Sequence, residues 1–456
     1  MGPVKRSAAV TVSIVALVLG GCGRRKEPPK PAEPAHRADT GERAAKKLRG
    51  RPKAASELAT TDAQIYLGNL DGQIAELTRL TREHPDLISN VHMLSAAHHV
   101  RGRYRGDLDE IQLGIDEASA CMRLDPENAG HALMRAEQEQ SLHRFKEARQ
   151  DLERARQLGA SPSRVLDLET ELDWNDGLYD KAILAIRKAR LERPSSATWM
   201  REAQLNHDLD REDDADAAFE AAEDLITDTA PLPVAHLNVQ RGIQKSQRGL
   251  LEEACGFFRE ALSRMPSYVA ANEHLAEALH ALGRDDEATA IYEKVVTLSD
   301  DPEFLHALAA LYAVRGRPAE SRELEAKARA RYDDLLQRYP EAMYWHASEF
   351  YLATGDTKRA LDLLRKNITL RPNSTSYVAL AHAELANGRV ADARTSIDRA
   401  LGMPVRSASL FATASAIYGQ AGEITAAEAF RARARRMNPR LETGEDAAAA
   451  PHRRDR

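Results

Sequence analysis

The sequence predicts an all-α protein, a solenoid of helical hairpins between a disordered tether and a disordered tail. Three observations point there. The 456 residues are 43% hydrophobic and 29% charged but only 5% aromatic. Ala, Leu, Glu, Arg and Asp dominate, a mix that favours helix over strand. The chain is longer than one core normally extends, so several domains or a repeat array are expected. And from residue 54 onward one pattern recurs at close to 34 residues.

The first element is a leader rather than part of the fold. Lys5 and Arg6 precede "AAVTVSIVALVLGG", an apolar run ending in small residues. It is too short to span a bilayer comfortably and has the shape of an export signal, assigned to residues 1–21. Its last residues and the next, Leu19-Gly20-Gly21-Cys22, resemble a bacterial lipobox. That resemblance implies diacylation of the Cys22 thiol, cleavage before it and acylation of its new amino group. Each buried acyl CH₂ contributes about 0.8 kcal/mol, so several chains anchor firmly. Gly23, where inner-membrane lipoproteins carry Asp, implies the outer membrane, facing the periplasm.

Residues 22–53 form the second element. Between 23 and 53, eleven Lys and Arg stand against four Asp and Glu, a charge of +7, with almost no large apolar residue. Such a segment cannot bury enough surface to fold and reads as a solvated spacer. The whole chain carries −6; with the tether and the +2 of Lys5 and Arg6 set aside, residues 54–456 carry −15. An acidic body argues against nucleic acid as its partner.

The repeats follow. In "NDGLYDKAILAIRKARLERP", Gly177 and Tyr179 precede Ala182, Ile186, Ala189 and Pro194; in "QRGLLEEACGFFREALSRMP", Gly249 and Leu251 precede Ala254, Phe258, Ala261 and Pro266 at the same offsets. The position of Ala182 falls at Gln73, Gly114, Ala148, Ala182, Ala215, Ala254, Ala288, Ser321, Ala360, Ala393 and Ala427. A small residue there lets helix axes approach closely. The preceding stretches agree, as in "LHALAALYAVRG" and "YVALAHAELANG". Together these registers resemble the tetratricopeptide repeat, and the resemblance covers roughly residues 54–440. It implies a right-handed superhelix of about eleven hairpins, because one hairpin cannot bury its own apolar face and stacking must complete the core.

Three spacings exceed the period. The first, at "RYRGDLDEIQLGIDEA", predicts a second helix that begins late or is lengthened. The second, "TDTAPLPVAHL", contains Pro231 and Pro233 and marks a joint between an N-terminal block, 54–228, and a C-terminal block, 229–440. The third, "AKARARYDDLLQRYP", keeps helical pattern and predicts a second helix longer by about a turn and a half. Residues 441–456 read as a disordered tail.

Little in the chain points to chemistry. It has no P-loop, G-x-S-x-G, H-E-x-x-H or C-x-x-C. No catalytic residue, cofactor or small-molecule substrate is expected. Cys121 and Cys255 lie in helical stretches and are expected to be small, buried and unpaired. His92, His98 and His99 cluster in "NVHMLSAAHHV", and His274, Glu277 and His280 in "HLAEALH". Zinc needs three or four converging ligands; the pattern places no cysteine or acid beside His92, His98 and His99, which read as solvated or groove-facing, the second cluster is similarly weak, and no metal is expected.

The resemblance also implies a binding face. Partner-contacting residues of the family recur on the first helix of each hairpin. By register these are Asp167, Glu171 and Trp174, then Met200, Gln204 and His207, then Glu273, Glu277 and His280, and finally Trp345 and Glu349. The Lys and Asn of the family's carboxylate clamp are absent there. What remains is acidic with aromatic and Met side chains, suited to a protein or peptide partner carrying basic residues. The resemblance implies a lipid-anchored scaffold assisting pilus assembly or secretion, outer-membrane assembly or polysaccharide export. Two alternatives stay open at this point: a hydrolase or glycan-processing enzyme on a helical solenoid, and a soluble cytoplasmic adaptor.

Overall fold

A computed structural model of the chain describes residues 59–227 and 229–441. The signal segment, Leu19, Gly20, Gly21 and Cys22, the tether and the tail beyond Leu441 lie outside the described residues.

Among the described residues there are 21 α-helices and no strand. A leading helix, α1 (Ala63–Glu83), is followed by ten hairpins. The first five are α2 (Ile88–Arg105) with α3 (Leu108–Leu124), α4 (Ala129–Ser141) with α5 (Phe145–Gln157), α6 (Pro162–Asn175) with α7 (Tyr179–Glu192), α8 (Ser196–Asp208) with α9 (Glu212–Asp224), and α10 (Pro231–Gln247) with α11 (Leu251–Arg264). The second five are α12 (Val269–Ala281) with α13 (Asp285–Leu298), α14 (Pro302–Val314) with α15 (Pro318–Arg338), α16 (Pro340–Ala353) with α17 (Thr357–Leu370), α18 (Ser374–Ala386) with α19 (Val390–Leu401), and α20 (Ala408–Gln420) with α21 (Ile424–Met437).

Local chemistry sets these boundaries. Asp62 and Asp107 accept hydrogen bonds from the first free N–H groups of α1 and α3, and Ser195 with Thr198 closes a capping box on α8. Pro162, Pro302, Pro318 and Pro340 begin helices, where a missing N–H costs nothing. The tight turn inside a hairpin needs one left-handed residue. Gly177 supplies it at φ 71°, while His143 and Asp210 hold the same conformation at 56° and 60°.

The small-residue register is the core of the solenoid. Ala148, Ala182, Ala215, Ala254, Ala288, Ala360 and Ala393 are completely buried. A larger residue at such a position overpacks, at about 1–3 kcal/mol. Gln73 differs from the rest, for it is exposed. Helix α1 instead buries Leu70, Ile74 and Leu77 in a cluster with Leu232, Val239 and Met265 of the fifth hairpin and the segment after it. The units counted in the sequence are thus ten hairpins and this leading helix.

The long spacings resolve into longer helices. Helices α2 and α3 are both extended, to 18 and 17 residues, around a short turn at Gly106-Asp107, so α3 does not begin late. Pro231 and Pro233 do interrupt the helix, but both sit in the first turn of the 17-residue α10. Leu237 of α10 packs with Met200, Ala203 and Phe219, so one core runs across this point. Helix α15 reaches 21 residues, as its pattern predicts.

The coil closes on itself. Ser374 meets Tyr179 across 195 residues, and the His143 ring meets the Glu341 carbonyl across 198. Asn438 Nδ2 donates to the Gln247 carbonyl at 3.1 Å across 191 residues, and the Arg406 N–H to the Asp208 carbonyl at 2.7 Å. Successive superhelical turns therefore touch after five to six hairpins. The first helices of the hairpins face an enclosed interior rather than an open groove.

Candidate partner-binding inner face

The enclosed interior is polar. Around its upper part, Arg201 of α8 reaches Glu171 Oε1 at 3.1 Å and Asp167 Oδ1 at 3.8 Å. Arg193 grips Asp167 with two hydrogen bonds of 2.7 Å. Burial raises the Glu171 carboxyl, and the charges of Arg201 and Arg103 pull it back. Glu137 of α4 behaves alike: burial raises it and Arg103, Arg164 and Arg201 oppose. Burial lowers His99 and His236, and the charge of Arg103, from α2, lowers both further.

Further along, carboxylates gather. Glu273 and Glu277 come from α12, Asp301 and Glu303 from the start of α14, and Glu349 from α16. Asp301 caps α14 by accepting the Glu303 N–H at 2.9 Å. His346 Nδ1–H donates to Glu303 Oε2 at 3.0 Å. Burial raises Glu273 well above the usual carboxyl range, and Glu303, Glu277, Asp301 and Glu349 raise it further. Asp301 is pushed up to about 6, by burial first and then by Glu303. Five carboxylates thus share one basin with His346, which the same charges hold protonated.

None of the eleven register-derived residues is fully exposed. Met200 and Glu273 are buried and the rest half-buried. Several already hold partners within the chain. Gln204 pairs with Gln240, His207 with Glu212 and Gln247, and His280 with Asp285. Trp174 packs edge-on against Tyr179, and Trp345 receives the Arg371 guanidinium over its ring. Asp167 and Glu171 converge on Arg201, and Glu273, Glu277 and Glu349 converge in the carboxylate basin. Asp301, Glu303 and His346 complete it and were missed by register, since Asp301 precedes α14 and Glu303 opens it. The signal available for them was a charged Asp-Pro-Glu start to the otherwise apolar "DPEFLHALAALY".

Of the two placements expected for these histidines, solvated or groove-facing, His98, His99 and His274 do not take the first, for they are buried. His98 is buried, its Nδ1 2.6 Å from Glu110, and buried His99 bonds Ser141 at 3.0 Å. His274 is buried against Glu277. His92 meets His131 and Cys121, a grouping that the spacing of the sequence does not reveal. Cys121 and Cys255 are buried and free, as expected. A cleft of about 860 Å³ lies on the outer seam between α5 and the end of α17, but its charges pair among themselves, Arg135 with Asp151 and Arg149 with Asp176.

The fold and its polar interior define a class, the helical-hairpin solenoid. Family models of the tetratricopeptide repeat match residues 247–311 and 378–442. No curated protein matches the sequence. Among solved structures, a tetratricopeptide repeat protein from Parabacteroides merdae is 17% identical, with 53% of this chain and 93% of that one covered at a TM-score of 0.33. Yeast Tom70 is 16% identical over 90% of this chain and 94% of its own, at 0.34. A monomeric IFIT1 mutant with Gppp-AAAA is 13% identical over 87% and 100%, at 0.40. The chain carries tetratricopeptide repeats over those two stretches, 247–311 and 378–442. Proteins of this class bind protein partners. Among the described residues no helix is long and apolar enough to cross a membrane.

Proposed function

We propose that this protein is a lipid-anchored adaptor of a bacterial envelope that holds a basic segment of a protein partner in its carboxylate basin. The observation that carries the reading is the convergence of Glu273, Glu277, Asp301, Glu303 and Glu349 from three successive hairpins, strong enough in field to affect Glu273 and His346 alike. A Lys or Arg side chain entering there would find charge-assisted hydrogen bonds in a low-dielectric setting. The sequence around Cys22 supports the anchor, and the basic residues after it support a spacer between bilayer and body. The outer membrane, facing the periplasm, is the location the Gly23 position favours.

Two experiments test this reading. Pull-down from envelope extracts is compared for wild type and a Glu277→Gln, Glu349→Gln double variant with matched circular dichroism. Loss of a protein partner in the variant is expected; identical partner sets would sink the basin as the binding site. Radiolabelled palmitate should enter the wild type and not Cys22→Ser, and an unlabelled wild type would reject the anchor.

A further inference from the structure

Three successive helices bring a cysteine and two histidines together away from the interior basin. His92 belongs to α2, Cys121 to α3 and His131 to α4. One ligating atom from each lies within 4.8 Å of the others. Cys121 is wholly buried and His131 is 4% exposed, while His92 is half-buried.

The two imidazoles face each other through the same atom. His92 Nδ1 and His131 Nδ1 are 3.3 Å apart, with ring planes tilted by 57°. On the far side of its ring, buried His131 Nε2 has no hydrogen-bond partner, and the Asp125 carboxylate stands 3.5 Å away. A proton on Nε2 is favoured by that carboxylate, which leaves the His131 Nδ1 lone pair aimed at His92. Two nitrogens at 2.0–2.1 Å from a tetrahedral zinc stand about 3.3–3.4 Å from one another. The observed separation is therefore a ligand–ligand spacing, whereas it is long for a hydrogen bond. The Cys121 thiol donates to the Ile88 carbonyl at 3.9 Å, a weak bond that a metal would replace.

We infer that His92, Cys121 and His131 form a zinc site, with Asp125 as the carboxylate that orients His131. Sulfur with two imidazoles suits Zn(II) and leaves one tetrahedral position for water. On binding, the Cys121 proton leaves to solvent and the thiolate sulfur takes the metal. The ion would tie the first hairpin to the second, beside the Gln138–Ser95 and His99–Ser141 hydrogen bonds that already join them.

Cobalt(II) titration of the full chain carrying Cys22→Ser tests this inference. One equivalent should produce thiolate-to-cobalt charge-transfer absorption with d–d bands of tetrahedral intensity, displaced by one equivalent of Zn(II). Cys121→Ser should abolish the charge-transfer band. His92→Gln, at a half-exposed position that keeps the core intact, should weaken binding at least tenfold and remove any zinc-dependent rise in Tm. Asp125→Asn should weaken it by about tenfold to a hundredfold. No band with equimolar cobalt in the wild type would overturn the site. So would a charge-transfer band that survives Cys121→Ser, or affinity unchanged in folded His92→Gln.

Discussion

The Tyr179 hydroxyl accepts the backbone N–H of Ser374 at 2.7 Å, across 195 residues of chain. Ser374 is the first residue of α18, and its N–H is one of the four that a helix start cannot satisfy internally. A side chain from the preceding superhelical turn thus caps a helix of the next one. Beside it, a Cβ at Gly177 would lie 2.8 Å from the Pro372 carbonyl oxygen, so the turns meet backbone to backbone. This contact explains why the inner face is enclosed: the coil winds until its own turns stack.

Tyr179→Phe removes the acceptor and leaves the Ser374 N–H buried, for both residues are under 5% exposed. An unsatisfied buried donor costs about 1–3 kcal/mol. The urea midpoint should fall accordingly with little change in m. A midpoint equal to that of the wild type would mean that the two turns do not meet here.

Gly242→Ala sets two effects against each other. Alanine within a helix is favoured over glycine by about 1 kcal/mol. But a Cβ at residue 242 would lie 2.3 Å from the ring of Phe258, which is completely buried in α11. Overpacking of that kind costs about 1–3 kcal/mol. The variant should be destabilised on balance, and Gly242→Ala combined with Phe258→Leu should recover part of the loss. A rise in Tm for the single variant would contradict this packing.

The repeat was legible because small residues recur where helices touch, and a period needs no three-dimensional knowledge. The helical pattern of "AKARARYDDLLQRYP" likewise announced the long α15. What the period could not show is how the hairpins rotate relative to one another. That rotation decides that Trp174 supports the seam tyrosine instead of lining an open groove, and that Trp345 stacks under Arg371. It also sets Gln73 outside the register, since α1 packs through Leu70, Ile74 and Leu77 on a later hairpin. His92, Cys121 and His131 belong to three helices, and their meeting depends on side-chain direction that no spacing rule encodes.

Thiol reactivity should follow burial. Burial raises Cys121 to about 11, with the Glu117 charge adding to it, and also raises Cys255. Neither is a thiolate near neutral pH, and neither is open to solvent. In metal-free protein carrying Cys22→Ser, Ellman's reagent should label no thiol promptly in the native state and two after denaturation. Prompt labelling of Cys255 in native protein would show the fifth hairpin to be open.

His346 gives a pH dependence whose sign can be worked out. Burial opposes its charge, yet the hydrogen bond to Glu303 and the charges of Glu303, Asp301 and Glu349 outweigh it and raise the imidazole from 6.5 to about 9. The folded state then binds this proton more tightly than the unfolded chain does. Its contribution to stability is complete below about pH 6.5 and is lost as pH rises through about 9. Glu117 and Glu139, at about 7 through burial, add a loss that ends near neutrality. His99 and His236, driven by burial to about 3, act on the acid side only. His207 is also raised: burial opposes, but the Glu212 hydrogen bond prevails. The loss of stability between pH 7 and 9 should therefore shrink in His346→Gln, with His207 acting in the same direction. Ring resonances of His346 followed by NMR should titrate near 9 in the wild type and at a clearly lower pH in Glu303→Gln. A wild-type midpoint near 6.5 would show that the carboxylates do not converge on this ring, and the basin would lose the field on which partner binding depends.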